Sequence, residues 1–106
     1  MPQLELSRLD LAARHVATLK AILATQIPQA QVWVYGSRVT GHAHEGSDLD
    51  LVLRNTHDLK QEVFGLDGLI VALQESNLPI LVDVHQWASL PKSFHQNIEA
   101  AYIEIQ

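Results

Sequence analysis

Residues 35–54, with the sequence YGSRVTGHAHEGSDLDLVLR, contain the pattern that decides how the rest of the chain is interpreted. Gly36-Ser37 follows an apolar segment, and after ten intervening residues Asp48-Leu49-Asp50 opens another. Side chains alternate between the two faces of a strand, so the two aspartates are expected on one face and the neighbouring leucines on the other. The pattern therefore predicts a sharp turn and a pair of carboxylates within one short stretch.

The apolar pattern of the remaining chain predicts alternating helices and strands. Ser7 is expected to cap a first helix, with Asp10 three residues on, and Pro28 ends the apolar helical spacing that follows. Strands are marked by β-branched and aromatic residues. The expected helices cover residues 7–26, 37–41, 59–76 and 91–101, and the expected strands cover 31–35, 48–54, 80–85 and 102–105. This order predicts an α+β fold, a small mixed β-sheet with flanking helices packed mainly on one side.

A third carboxylate, Asp83, interrupts the apolar segment 80–84. Nearby carboxylates repel one another unless a cation lies between them, and Mg²⁺ prefers such hard oxygen ligands. If strand 80–85 lies beside strand 48–54, Asp48, Asp50 and Asp83 are predicted to be catalytic acids that together bind Mg²⁺. Asp83 is also the candidate to accept the proton of an attacking hydroxyl group. The alternatives are a solvated strand edge for Asp48 and Asp50, and an ordinary edge-strand acid for Asp83.

The segment Gly36-Ser37-Arg38 is predicted to bind phosphate. Glycine allows a sharp turn and a close approach of the backbone to a ligand. Amides at the start of the helical turn, together with the Ser37 hydroxyl, are suited to the outer phosphates of a nucleoside triphosphate. Arg38 would add a positive charge. The alternatives are that Ser37 caps the helical turn and that Arg38 pairs with a surface acid.

The composition limits the classes of function. With 106 residues, the chain is expected to form a single domain over 1–106. Its formal net charge is −5, and no basic stripe is visible, which disfavours a large nucleic-acid partner. The absence of cysteine excludes disulfides and thiolate metal sites. No signal pattern or membrane-spanning apolar run occurs, so a cytoplasmic location is expected.

The arrangement of Gly36, Ser37, Asp48 and Asp50 resembles the signature of the DNA polymerase β-type nucleotidyltransferases. The extended pattern Gly-Ser-Arg-x-x-Gly, followed by Gly-Ser-Asp-Leu-Asp-Leu, is similar to the minimal nucleotidyltransferase (MNT) branch. The chain length and the segment from Asp83 through the last helix also match, so that the resemblance covers nearly the whole chain. One departure is Val39-Thr40, which stands where the family often has Ala-Arg.

This resemblance implies a polymerase β-like nucleotidyltransferase palm fold and a specific activity. Ser37 would contact nucleotide phosphate, and Asp48, Asp50 and Asp83 would hold magnesium. Stand-alone MNT proteins are typically encoded beside a small helical HEPN ribonuclease toxin. As antitoxins they transfer AMP from ATP to a tyrosine hydroxyl of that toxin. Larger relatives carry additional domains for the acceptor, so a separate partner protein is the simplest acceptor for this chain.

Several alternatives stay open at this point. The chain is either such an enzyme or a non-catalytic MNT binding module that neutralises a HEPN partner by complex formation. Transfer to an antibiotic is disfavoured, because no acceptor domain is visible. The nucleotide preference, the number of AMP units and a possible homodimer are not fixed by the sequence. His85 would share a strand face with Asp83 and is a candidate to orient an acid or to line the acceptor side, whereas His42 and His44 are expected in a polar loop.

Overall fold

The computed structural model describes residues 3–106 and contains a four-stranded sheet. Its strands are β1 (Gln31–Tyr35), β2 (Leu49–Arg54), β3 (Val82–Gln86) and β4 (Ile103–Glu104). They lie in the order β3-β2-β1-β4, so that β3 and β4 form the two edges. The pair β1–β2 and the pair β1–β4 are antiparallel, whereas β2 and β3 are parallel. The sheet is therefore small and mixed, as the sequence predicts.

Helices flank this sheet on both faces. The four α-helices are α1 (Ala13–Gln26), α2 (Ser37–Thr40), α3 (Leu66–Gln74) and α4 (Lys92–Ala100), and short 3-10 helices cover Leu6–Arg8 and Trp87–Ser89. Together with the mixed sheet they confirm the predicted α+β class. None of the helices in residues 3–106 is both long and apolar enough to span a membrane.

The apolar residues form two cores, one on each face of the sheet. In the first core, α1 and α3 bring Leu19, Leu23 and Leu69 against the sheet. The alternating leucines of β2 point into it, as predicted, and all three are almost fully buried: Leu49, Leu51 and Leu53. The opposite face carries a smaller second core, in which α4 takes part: Trp33, Tyr35, Val52, Trp87 and Ile98. Two of the three longer helices thus share one face, while α4 lies on the other.

The first helix begins later than the sequence predicts. Helix α1 starts at Ala13 and its N-cap is Ala12, so the prediction that Ser7 caps it is wrong. The Ser7 hydroxyl instead lies 3.5 Å from a Glu5 carboxylate oxygen. The chain leaves helical geometry because the backbone of Asp10 exchanges hydrogen bonds with Arg38, through the amide nitrogen at 2.8 Å and the carbonyl oxygen at 2.8 Å. Tertiary contacts therefore override the local helix signal.

The predicted helix over 59–76 is also too long, because α3 begins only at Leu66. Gly65, its N-cap, has a left-handed φ of +106°, which interrupts helical geometry. Two residues before Gly65, the backbone of Val63 is bound by the side-chain amide of Gln86. The amide oxygen accepts a hydrogen bond from the Val63 N–H and the amide nitrogen donates one to the Val63 C=O, both at 2.9 Å. These bonds hold residues 55–65 against the end of β3 in turns. The third strand, predicted over 80–85, begins two residues later and ends one residue later.

Candidate active site

The three predicted acids lie on two neighbouring parallel strands. Asp50 of β2 is directly opposite Asp83 of β3, and on its other side it is opposite Tyr35 of β1. Directly opposed residues point to the same face of a sheet. Asp48 is exposed and lies one residue before β2, on the side of that strand to which Asp50 also points. Asp83 is expected to join the other two acids if its strand lies beside theirs. The two strands are adjacent, so this condition is met.

Gly36 lies against the Asp50 carboxylate. Its φ of +87° is in the region that favours glycine, and a Cβ atom added here would overlap Oδ2 of Asp50 and lie 3.3 Å from its Cγ. Only a residue without a side chain therefore lets the Asp50 carboxylate reach the turn that follows β1. This contact joins the two halves of the sequence motif, the turn and the acids, in one site.

Ser37 is the first residue of α2, the turn that follows Gly36. The amides of Val39 and Thr40 donate to the Gly36 carbonyl, at 3.0 and 3.1 Å, and Gly41 ends the turn with a φ of +86°. The N-cap of α2 is Gly36, so the alternative that Ser37 caps this helix is wrong. The half-buried Ser37 is thus placed where the chain leaves the Asp50 carboxylate. Its contact with nucleotide phosphate stays a prediction.

Arg38 is buried, with only 7% of its surface exposed. Its guanidinium group donates to three backbone carbonyls: from Nε to Ser47 at 3.0 Å, from Nη1 to Asp10 at 2.8 Å and from Nη2 to Glu45 at 3.2 Å. These bonds satisfy a buried cation by fixing the loop that leads to Asp48. The alternative of a surface ion pair is wrong, because all three acceptors are backbone atoms. Phosphate binding by Arg38 stays a prediction, and the hydrogen bonds show a structural role for it.

The carboxylates influence one another electrostatically. Burial raises the pKa of Asp50 above its ordinary value, and the nearby charges of Asp83 and Asp48 raise it further, whereas His85 lowers it. Burial, followed by the charges of Asp50 and Asp83, also raises the pKa of Tyr35, so its hydroxyl stays protonated at neutral pH. Burial and the neighbouring acids therefore disfavour the ionised form of Asp50, and a bound cation would favour it.

His85 contacts Asp83 in the manner expected from their spacing. The Nε2 atom of His85 lies 3.3 Å from Oδ2 of Asp83, and both side chains are partly exposed. The imidazole thus restrains one oxygen of the acid. By contrast, the ring nitrogens of His42 and His44 contact only neighbouring loop groups, the Thr40 hydroxyl and the Gly46 amide. The polar-loop interpretation of these two histidines is correct.

The acids are the type of ligand that Mg²⁺ prefers, although their side chains do not by themselves form a complete coordination shell. Within residues 3–106, no group of three or more His, Cys, Asp or Glu side chains is arranged to hold a metal ion. Magnesium usually takes only one or two protein carboxylates, with water and substrate phosphate completing its shell. The facing carboxylates of Asp50 and Asp83 provide such ligands, and the pKa of Asp50 is raised by burial and by the neighbouring acids. The predicted magnesium site at Asp48, Asp50 and Asp83 stays a prediction.

Two residues at this site were not predicted from the sequence. Tyr35 lies directly opposite Asp50. Its place immediately before Gly36 would have predicted this position, given that β1 pairs with β2. Leu81 is 76% exposed, although it is part of an apolar segment that looks buried in the sequence. No local signal distinguishes Leu81 from the leucines that point into the first core, because exposure here depends on β3 being an edge strand.

Comparison with known proteins places the chain among nucleotidyltransferases. Residues 16–105 match the family model described as nucleotidyltransferase domain. Over 100 residues, the chain is 37% identical to the probable protein adenylyltransferase MntA of Haemophilus influenzae, covering 94% of this chain and 86% of that protein. A crystal structure of a toxin-antitoxin with AMP-PNP superposes with a TM-score of 0.68 and 19% identity, covering 86% of this chain and 72% of the other. That last similarity shows a shared fold.

Proposed function

Since the chain belongs to the nucleotidyltransferase domain family, in its minimal nucleotidyltransferase branch, we propose that it transfers AMP from ATP to a hydroxyl group of a partner toxin. Family membership makes the chain an enzyme of the nucleotidyltransferase class. The donor, the acceptor and the role of antitoxin are the proposed part. They are supported by two similar proteins, the sequence relative being a probable protein adenylyltransferase and the structural neighbour a toxin-antitoxin with AMP-PNP.

The observation that carries the proposal is the register that sets Asp50 opposite Asp83, with Gly36 against the Asp50 carboxylate. Nucleotidyl transfer requires a phosphate-binding turn and carboxylates in one place. The Gly36-Ser37 turn and the acids lie together where β1 ends and β2 begins, which supports these two roles for them. An isolated Gly-Ser pair or a single strand acid would not support this function.

The residues take the following roles in the proposed reaction. The turn at Gly36 and Ser37 holds the outer phosphates through backbone amides and the Ser37 hydroxyl. Asp48, Asp50 and Asp83 would hold magnesium, which would neutralise charge on the α-phosphate and on the leaving pyrophosphate. Asp83 accepts the proton of the acceptor hydroxyl as that oxygen bonds to the α-phosphorus and the bond to pyrophosphate breaks. His85, 3.3 Å from Oδ2 of Asp83, orients the carboxylate that takes the proton.

The acceptor we propose is a tyrosine of a HEPN-type helical toxin encoded beside this chain, modified in the cytoplasm. A tyrosine hydroxyl has an ordinary pKa of about 10, so a general base such as Asp83 assists its attack at neutral pH. Its ring also carries the hydroxyl well away from the acceptor backbone. This distance suits a site in which the acids lie on the face of a sheet and not at a loop tip.

The test is intact-mass spectrometry of the neighbouring HEPN protein after incubation with this chain, ATP and Mg²⁺. We expect a mass gain in whole AMP units. The double variant Asp48→Asn and Asp50→Asn should abolish the gain while still binding the HEPN protein, because it removes charge without changing side-chain size. A mass gain that persists in the double variant would contradict the assigned roles.

The alternative is a non-catalytic MNT binding module. On that alternative, the chain neutralises its partner by complex formation alone. The double variant would then neutralise the toxin fully, and the wild-type chain would leave the partner's mass unchanged.

A further inference from the structure

Leu81 is an exposed apolar residue on the face that carries the acids. Alternation along β3 directs Val82 and Val84 toward the first core, where both are partly buried. Leu81, Asp83 and His85 consequently point to the opposite face. The Leu81 side chain is 76% exposed, and two residues along a strand, roughly 7 Å, separate it from Asp83. An isolated exposed leucine needs no explanation, but this one continues into a larger apolar surface.

That surface is a groove between α3 and the edge strand β3, here called the α3–β3 groove. It has a volume of about 200 Å³, and its lining includes Ile70, Leu73, Leu78, Leu81 and Gln74. Small-molecule sites usually begin at about 300 Å³. The α3–β3 groove is therefore better matched to one or two apolar side chains of a protein than to a metabolite. Val71, 50% exposed on the same helix, extends the apolar area.

The charged residues that directly follow lining residues of the groove are acidic. Glu75 follows Gln74 and Asp83 follows Val82, and lysine and arginine are absent between Lys60 and Lys92. An apolar groove in acidic surroundings repels nucleotide phosphates and attracts a surface that is apolar at its centre and basic at its rim. Complementarity of this kind identifies the chemistry of the occupant.

We propose that the α3–β3 groove binds the acceptor protein through an apolar, lysine- or arginine-flanked surface, and thereby brings the acceptor hydroxyl to Asp83. This inference rests on the proposed function. An acceptor held at Leu81 would lie directly beside the acids, because the groove and the acid face meet at that residue. As β3 is an edge of the sheet, no strand among the described residues covers this side.

The first experiment measures the affinity of the neighbouring HEPN protein for the wild-type chain and for Leu81→Ser, by titration calorimetry. Loss of a leucine that is buried on binding should weaken the complex about tenfold or more. In transfer assays, the KM for the HEPN protein should rise while kcat and the KM for ATP stay unchanged. Because Leu81 is exposed, its replacement should leave the unfolding midpoint unchanged.

Phe64→Ser is the matched control. Phe64 is 90% exposed, and its carbonyl accepts a hydrogen bond from Gln29. The adjacent Val63 binds Gln86, which is the last residue of β3, whereas Leu81 lies immediately before the first residue of β3. Phe64 thus lies at the end of β3 remote from the acids. Its replacement removes an exposed apolar side chain of larger size, and we expect no change in affinity.

A second pair of variants tests the predicted charge of the partner. Gln74 lines the groove and is exposed, so Gln74→Lys and Gln74→Glu differ in charge at one position. Against a basic partner surface, Gln74→Lys should slow association, more at low than at high salt, whereas Gln74→Glu should not. The reverse order would contradict a basic partner surface and overturn the proposal.

The outcomes separate the docking surface from the proposed function. If the wild-type chain modifies the HEPN protein and Leu81→Ser binds it as tightly, the docking surface is wrong and the function stands. If the wild-type chain neither binds nor modifies the HEPN protein, the proposed function fails and the docking surface with it. If the chain alone forms a dimer by light scattering that Leu81→Ser dissociates, a second copy occupies the groove and the proposal is overturned.

Discussion

At the scale of single residues, Gly36 and Gly41 form a natural pair for experiment. Both have a left-handed φ, +87° and +86°, but an added Cβ would overlap Asp50 at Gly36 and would meet nothing within 4 Å at Gly41. Each change to alanine should cost roughly 1 kcal/mol of stability from backbone strain. Only Gly36→Ala should displace the Asp50 carboxylate, and with the catalytic role proposed for Asp50 such a displacement should lower the rate about a hundredfold.

The measurement compares the AMP transfer rates and the free energies of unfolding of the two variants. Gly41→Ala is the control for strain, and we expect it to keep a rate within a few-fold of the wild type. Equal loss of rate in both variants would mean that strain in α2, and not the contact with Asp50, explains the need for glycine.

The sequence predicts the residues of the site better than their contacts. The acids on β2 and β3 follow from alternation and from two adjacent strands, both visible as apolar patterns. The contacts of Arg38 do not follow, because its acceptors are backbone carbonyls of Asp10, Glu45 and Ser47, which no residue type encodes. An arginine next to a phosphate-binding turn looks the same in the sequence whether it faces phosphate or the chain's own backbone.

At the scale of elements, Arg38 joins α2, the segment before α1 and the loop over 42–47. In Arg38→Lys, an ammonium group cannot reproduce the spread of three bonds that a planar guanidinium makes. We expect the free energy of unfolding to fall by about 2–4 kcal/mol and amide hydrogen exchange to become faster in the loop. Magnesium binding should weaken as well, because the loop ends at Asp48.

The same variant separates the two roles of Arg38. A residue that only binds phosphate would leave stability and hydrogen exchange unchanged, and its replacement by lysine would raise only the KM for ATP. Hydrogen exchange monitored by mass spectrometry in the presence and absence of ATP distinguishes the two cases without relying on activity.

Element boundaries show where local sequence signals fail. The centres of α1 and α3 were predicted from apolar spacing, but both starts lie later, at Ala13 and Leu66. In each case a side chain distant in sequence binds the preceding backbone: Arg38 at Asp10 and Gln86 at Val63. Helix propensity within a window cannot detect such partners. The strands were predicted more closely, because their ends coincide with glycine, proline or a change in apolar pattern.

At the scale of the whole molecule, the raised pKa of Asp50 links stability to pH. A carboxyl group whose pKa is higher in the folded than in the unfolded state holds its proton more tightly when folded. Its contribution to stability is present below the unfolded pKa, about 3.9, and is lost as the pH rises through the folded pKa. In metal-free protein, Asp50→Asn should therefore be more stable than the wild type at pH 7, with no difference below about pH 3.

Denaturant unfolding in EDTA at several pH values measures this effect, and addition of Mg²⁺ should reverse it. The wild type gains stability when it binds the ion, because a ligand that binds only the folded state stabilises it. Asp50→Asn, which lacks one of the proposed magnesium ligands, should gain less. If the wild type is instead more stable than Asp50→Asn in EDTA at pH 7, the ionised Asp50 carboxylate is not destabilised by burial and by its acidic neighbours.

The parallel pairing of β2 with β3 affects the order in which the parts of the site come together during folding. The segment from Gly36 to Asp50 joins adjacent antiparallel strands, whereas residues 55–81 separate β2 from β3. Closing the longer connection costs more chain entropy, and local pairings tend to form first. A folding chain would thus bring the turn and the first two acids together before Asp83 joins them, so that the proposed site is complete only once β3 pairs with β2.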